Sequence, residues 1–195
     1  MNLIMKIHRS RSPWRTRPRL TTLVTMAGLG VLLSTAVSLH AQGPFQVVTS
    51  KAFDSAVPKD FYLEGNAIPV EKRNSVLLST QSGARVLFGL IDTTGYSSQI
   101  QKKYIGMMIA ETPIAACSVD VPVGSYGFGL QKPASQGQGS GEFFVYDQAG
   151  KQVGSCAVEA DKGLKQPRPL QVTTGSDGNS MLCLGRYCIA LRSKE

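Results

Sequence analysis

Short apolar runs separated by turn residues organise most of this chain. Ser75-Val-Leu-Leu-Ser-Thr80 and Ala84-Arg-Val-Leu-Phe-Gly-Leu-Ile91 flank Gln81-Ser-Gly83, which is a hairpin pattern. In the second run Val86, Phe88 and Leu90 fall on one face, and Leu87 and Ile91 on the other. Both faces are apolar, so this strand should be central and covered on both sides. Further strands are expected over 45–49, 114–120, 125–131, 142–147, 153–160 and 170–174. Within Ser125-Tyr-Gly-Phe-Gly-Leu130 the large residues Tyr126, Phe128 and Leu130 share one face and glycines occupy the other. That glycine face must lie close under another segment or mark a bend.

Turn chemistry separates these runs. Asp147-Gln-Ala-Gly-Lys151 and Gly175-Ser-Asp-Gly178 read as turns, and 131–141 as an exposed glycine-rich loop. Gln166-Pro-Arg-Pro169 is a rigid extended connection. One segment is ambiguous. Ser98-Gln-Ile-Gln101 matches a helix capping box, with Ile100, Tyr104, Met107 and Met108 at helical spacing. Gly106 and Pro113 oppose a helix, so the reading adopted is a strand over 103–111, preceded at most by one helical turn. The pattern as a whole predicts an all-β fold, a β-sandwich or small barrel of about nine to eleven short antiparallel strands.

The first forty residues follow a different rule. Lys6, Arg9, Arg11, Arg15, Arg17 and Arg19 precede an apolar stretch over 20–39, and no acidic residue occurs there. A cationic flank, an apolar stretch and a small-residue exit form the pattern of a secretory signal. The expected cut follows Ala41, with a rival after Ser38; an uncleaved membrane anchor is the alternative, since about 20 residues suffice to span a bilayer. The first cysteine is Cys117, far from the signal, which disfavours a lipid anchor. The expected organisation is a signal peptide over 1–41, a leader with one weak strand over 42–60, and a single β domain over 61–195. The 195 − 41 = 154 residues after the cut suit one domain better than two.

Removing the signal changes the chemistry. The chain carries 21 basic and 13 acidic residues; six of the basic ones leave with the signal, so the remainder is 15 − 13 = +2. No basic footprint for nucleic acid remains. Both histidines, His8 and His40, and the single tryptophan, Trp14, also lie before the cut. A histidine-free protein has no Ser-His-Asp or Cys-His machinery and no histidine-ligated zinc. Gly137-Gln-Gly-Ser-Gly141 lacks the lysine and the spacing of a phosphate loop. Asp177-Gly-Asn179 is far short of a calcium loop. No cofactor and no metal are therefore expected. Carboxylates are the remaining acid–base groups, with Glu64, Glu71, Asp92, Glu111, Asp120, Glu142 and Glu159 on or near strands; no spacing selects a pair.

The four cysteines form no Cys-x-x-Cys motif. In Met181-Leu-Cys-Leu-Gly-Arg-Tyr-Cys-Ile-Ala190, Gly185-Arg186 suits a type II′ turn, which takes glycine first. Leu184 and Tyr187 then close the hairpin. Cys183 falls opposite Cys188 at a non-hydrogen-bonded site, where Cα atoms come to about 4.5 Å. This predicts a cross-strand disulfide, and by elimination a second one joining Cys117 to Cys156.

Val121-Pro-Val-Gly-Ser-Tyr-Gly-Phe128 resembles the P-x-G-x-Y turn-and-strand of exported β-sandwich modules of the prealbumin-like and carboxypeptidase-regulatory-like type. The resemblance implies a fold class and no reaction. The functional expectation is an exported, non-enzymatic β module, periplasmic or extracellular, that binds an unknown protein or envelope component or has a structural role there. It would contact a membrane only if the signal is retained. The alternative is a small carboxylate-based hydrolase acting, for example, on glycosidic bonds, which needs two facing carboxylates.

Overall fold

The computed structural model describes residues 45–133, 140–174 and 179–194. The signal segment, its cut after Ala41, the 175–178 turn and the centre of the 131–141 loop lie outside the described residues. Thirteen strands and two short helices run in the order β1 (Gln46–Val48), α1 (Lys51–Ala56), β2 (Asp60–Leu63), β3 (Asn66–Ser79), β4 (Arg85–Ile91), α2 (Ser98–Lys103), β5 (Gly106–Ala110), β6 (Ile114–Ala116), β7 (Val119–Val121), β8 (Gly124–Gln131), β9 (Gly141–Asp147), β10 (Gln152–Val158), β11 (Gln171–Thr174), β12 (Ser180–Leu184) and β13 (Tyr187–Ser193). All named pairings are antiparallel.

The strands form two sheets. One is ordered β1-β3-β4-β5-β8-β9-β10, with β2 alongside β3; the other is β11-β12-β13-β6-β7. Neither closes on itself, so of the two expected architectures the molecule is the sandwich and not the barrel. Phe88, Met108, Phe128, Phe143, Ile114 and Leu182 fill the space between the sheets, all without solvent exposure. Phe128 stacks at a tilt on Phe143, with ring centroids 5.7 Å apart, and meets Phe88 edge-on at 6.4 Å.

The larger sheet carries a second core on its other face. Leu77, Leu87, Ile91 and Met107 point there and are covered by Phe61, Leu63 and Ile68 of the β2–β3 hairpin and by Ile100 and Tyr104 around α2. This is why β4 is apolar on both faces: Val86 and Phe88 serve one core, Leu87 and Ile91 the other.

The strand count exceeds the expected nine to eleven in two places. β2 had no counterpart in the sequence reading, and 114–120 is a hairpin of two strands, with Ala116 opposite Val119 across Cys117-Ser118. The strand expected from 75 begins at Asn66 and bends through a bulge between Glu71 and Ser75. The segment expected as a leader holds α1 in addition to its strand, and β1 pairs with β3 in the main sheet.

The ambiguous segment splits. Residues 98–103 form α2, and the strand begins at Gly106, three residues after the expected start at Lys103. The cap is Ser97, whose Oγ accepts from the Ile100 N–H at 3.3 Å, and not Ser98. Gln101 instead donates its amide to the Tyr96 carbonyl at 2.8 Å, the reverse of the bond a capping box makes. The helix stops because Tyr104 turns extended and drops its ring into the second core.

The glycine face of β8 resolves as a close approach. A Cβ on Gly127 would lie 2.6 Å from the Tyr104 ring, and one on Gly129 would lie 2.2 Å from the Lys103 carbonyl oxygen. The missing side chains let the end of α2 rest directly on the sheet.

Candidate functional site

Both predicted cystine pairs are at disulfide distance. Cys183 and Cys188 sit opposite each other on β12 and β13 with Cα atoms 4.0 Å apart, and Leu184 pairs with Tyr187 as the closing pair. Gly185 has φ +64 and Arg186 has no positive φ, as a type II′ turn requires. Cys117 and Cys156 have Cα atoms 6.4 Å apart and join the β6–β7 turn of one sheet to β10 of the other. β7 and β10 are the free edges of their sheets, and a Cβ on Gly154 would lie 2.8 Å from Val119 Cγ1. The bridge thus closes one side of the sandwich where two edges already meet.

The carboxylates are dispersed over the fold. Asp120 pairs with Lys194 at the surface, and Glu142 and Glu159 are exposed. The Thr94 side chain, together with the Thr94 N–H that donates to Asp92 Oδ1 at 2.9 Å, holds the Asp92 carboxyl below the usual range. Glu111 forms a chelated pair with Arg85, whose hydrogen bond holds that carboxyl down too. Among the described residues no group of three or more His, Cys, Asp or Glu converges on a point that could hold a metal ion. Asp177 lies outside the described residues.

Glu64 stands apart because it is clamped. It occupies the first position of the two-residue β2–β3 turn with φ +49, followed by Gly65 at +76, the signs of a type I′ turn. A side chain in this left-handed region costs about 1 kcal/mol, and long-range contacts offset it. Glu64 Oε1 accepts from Lys103 Nζ at 2.5 Å and from the Tyr104 hydroxyl at 2.7 Å, and the Glu64 N–H donates to the Gln148 carbonyl at 2.8 Å. Lys103 Nζ also donates to the Gly150 carbonyl at 2.6 Å and lies 4.8 Å from the centre of the Tyr146 ring. The clamp therefore ties the β2–β3 turn, the end of α2 and the β9–β10 turn together.

Lys103 holds the Glu64 carboxyl below its ordinary range, aided by the Tyr104 hydroxyl, while burial and the Glu64 carboxylate push the Tyr104 phenol up. A carboxyl depressed in the folded state stabilises that state fully above its ordinary pKa of 4.5 and loses the contribution as pH falls through the folded value. Glu64→Gln is expected to cost about 2 kcal/mol at pH 7. In urea unfolding from pH 7 down to pH 3 the gap between variant and parent should shrink. A gap that stays constant with pH would contradict the assignment.

A cleft of about 360 Å³ opens where the ends of β4 and β8 meet the β12–β13 turn of the other sheet. Its floor is apolar, built from Leu90, Ile91, Ile105, Leu130, Pro169 and Leu184; Glu71, Thr93, Gln101 and Lys132 supply its polar groups. The wall formed by the hairpin tip is fixed, since the Gly185 N–H donates to the Arg168 carbonyl at 3.0 Å and Arg186 Nη1 to the Leu164 carbonyl at 3.2 Å. A smaller cleft of about 240 Å³ is lined by Arg85 and Glu111 beside Leu77 and Leu87, its charges already paired with each other. Of the carboxylates singled out in the sequence, the structure places Glu71 alone in the larger cleft, and it brings no second one there.

These features define a class: a two-sheet β-sandwich, cross-linked at one side and at one hairpin, with a small amphipathic cleft at one end. No family model, curated protein or solved structure matches the chain. No helix among the described residues is long and apolar enough to cross a membrane.

Proposed function

We propose that this chain is an exported, non-enzymatic β-sandwich module that binds a ligand at the cleft between the β4, β8 and β12–β13 ends, working in the periplasm or outside the cell. The observation that carries the reading is the cleft itself, an apolar floor under a few polar groups, which is how small-ligand sites are built. The export signal pattern and two cystine pairs fit an oxidising compartment. The Pro122-to-Tyr126 resemblance to exported accessory modules points the same way. The hydrolase alternative needs two carboxylates about 5–9.5 Å apart around one bond. Among the described residues each of these two clefts is lined by a single carboxylate, and that of Glu111 is engaged by Arg85.

The test uses 1-aminoanthracene, a neutral dye that brightens in apolar sites, with protein recovered from the cell envelope or medium. Saturable binding is expected, and it should be lost when the exposed wall residue Gln101 is replaced by tryptophan. Chromogenic glycosides and esters should not be turned over. Turnover abolished by Glu71→Gln would instead support the hydrolase.

A further inference from the structure

Two opposite charges line the same cleft without meeting. Glu71 and Lys132 both border it, yet among the described residues neither takes part in an ion pair; the pairs there are Asp54–Lys72, Glu64–Lys103, Glu111–Arg85 and Asp120–Lys194. Glu71 is half-buried, and its Oε2 accepts from Asn74 Nδ2 at 2.6 Å; Oε1 has no protein donor among the described residues. The Gln101 amide nitrogen donates to the Tyr96 carbonyl, and its oxygen is an acceptor. Thr93 adds a hydroxyl. Lys132 is an exposed lining residue with no carboxylate partner among the described residues. The rest of the lining is largely aliphatic, from Leu90, Ile91, Ile105, Leu130 and Leu184.

A carboxylate and an ammonium outside any ion pair among the described residues, beside an aliphatic floor, complement one ligand chemistry. We infer that the cleft binds a small zwitterion with a branched aliphatic body, the chemistry of a free branched-chain amino acid or of a short peptide of such residues. The ligand ammonium goes to Glu71, with Gln101 and Thr93 as further acceptors. The ligand carboxylate goes to Lys132, and the side chains cover the floor. A charge-assisted hydrogen bond to each charged group fixes orientation, and burial of the body adds affinity. The inference rests on the proposed cleft-binding function and specifies its ligand class.

Isothermal titration of the envelope-derived protein with L-leucine and L-leucyl-L-leucine tests it, with N-acetyl-leucine amide as the uncharged control. One zwitterion should bind and displace 1-aminoanthracene, and which of the two binds more tightly separates the amino-acid source from the peptide source. The capped control should bind at least about tenfold more weakly, the equivalent of losing one hydrogen bond to a charged group. Glu71→Gln and Lys132→Met should each weaken the zwitterion about tenfold, and a parent-like melting curve shows that each variant is folded. If the dye binds but neither zwitterion displaces it, or if the capped control binds equally well, the zwitterion assignment falls and the apolar cleft remains. If the dye itself fails to bind, the cleft is not a ligand site and both readings fall.

Discussion

Replacing Cys117 and Cys156 together by serine should lower the unfolding free energy by about 4 kcal/mol and the melting temperature by about 8–16 °C. The magnitude follows from the loop the bridge closes. The two cysteines are 39 residues apart in sequence, and cross-linking them removes a large share of the unfolded chain's freedom. The bridge also joins the free edges β7 and β10, which otherwise meet through small side chains at Val119 and Gly154. The Cys183/Cys188 double-serine variant is the internal comparison. Its cysteines are five residues apart, and the same arithmetic gives about 2 kcal/mol. Calorimetry of the parent and the two double variants decides the matter. If the Cys117/Cys156 variant melts no lower than the Cys183/Cys188 variant, the bridge between the sheets is not what holds that side closed.

Gly129→Ala should cost about 3 kcal/mol, a large effect for one methyl group. Its Cβ would lie 2.2 Å from the Lys103 carbonyl oxygen, which is backbone and cannot rotate aside. β8 cannot retreat either, because it is paired with β5 on one side and β9 on the other. The end of α2 must therefore lift, and Lys103 lifts with it, away from Glu64 and the Gly150 carbonyl. The variant should lose stability at neutral pH and also part of the acid dependence assigned to Glu64. Gly83→Ala serves as a control: nothing lies within 4 Å of that Cβ, so its cost is confined to the positive φ of +89. Urea unfolding at pH 7 and pH 4 reads both effects. A Gly129→Ala protein as stable as its parent would mean that α2 does not rest on β8.

The parts of the fold legible in the sequence were those set by neighbours a few residues apart. The two-faced apolarity of Val86 to Ile91 located the central strand. Gly185-Arg186 fixed a turn type, and the turn type fixed the register that puts Cys183 opposite Cys188. The glycines of Ser125 to Leu130 announced a close approach, although not what would approach. The Cys117–Cys156 pair followed only by elimination, since nothing near either residue indicates the other.

The misses share one cause. The β2–β3 turn places Glu64 at φ +49 and the β6–β7 turn places Cys117 at φ +60, where local rules expect glycine or asparagine. Both residues are held by partners about forty positions away: Glu64 by Lys103 and Tyr104, Cys117 by Cys156. A turn whose strain is offset at long range leaves no local mark, so β2 was unseen and β6–β7 read as one strand. The cleft is hidden for the same reason. Glu71, Gln101, Lys132 and Gly185 come from separate stretches of chain and line one cleft only when the two sheets pack. Sequence alone determined the alternation that buries each strand, the local turn that pairs Cys183 with Cys188 and the histidine-free chemistry after the expected cut. Tertiary structure alone decided which charges pair and which line a cleft over an apolar floor, because that depends on distances between segments that the order of residues does not encode.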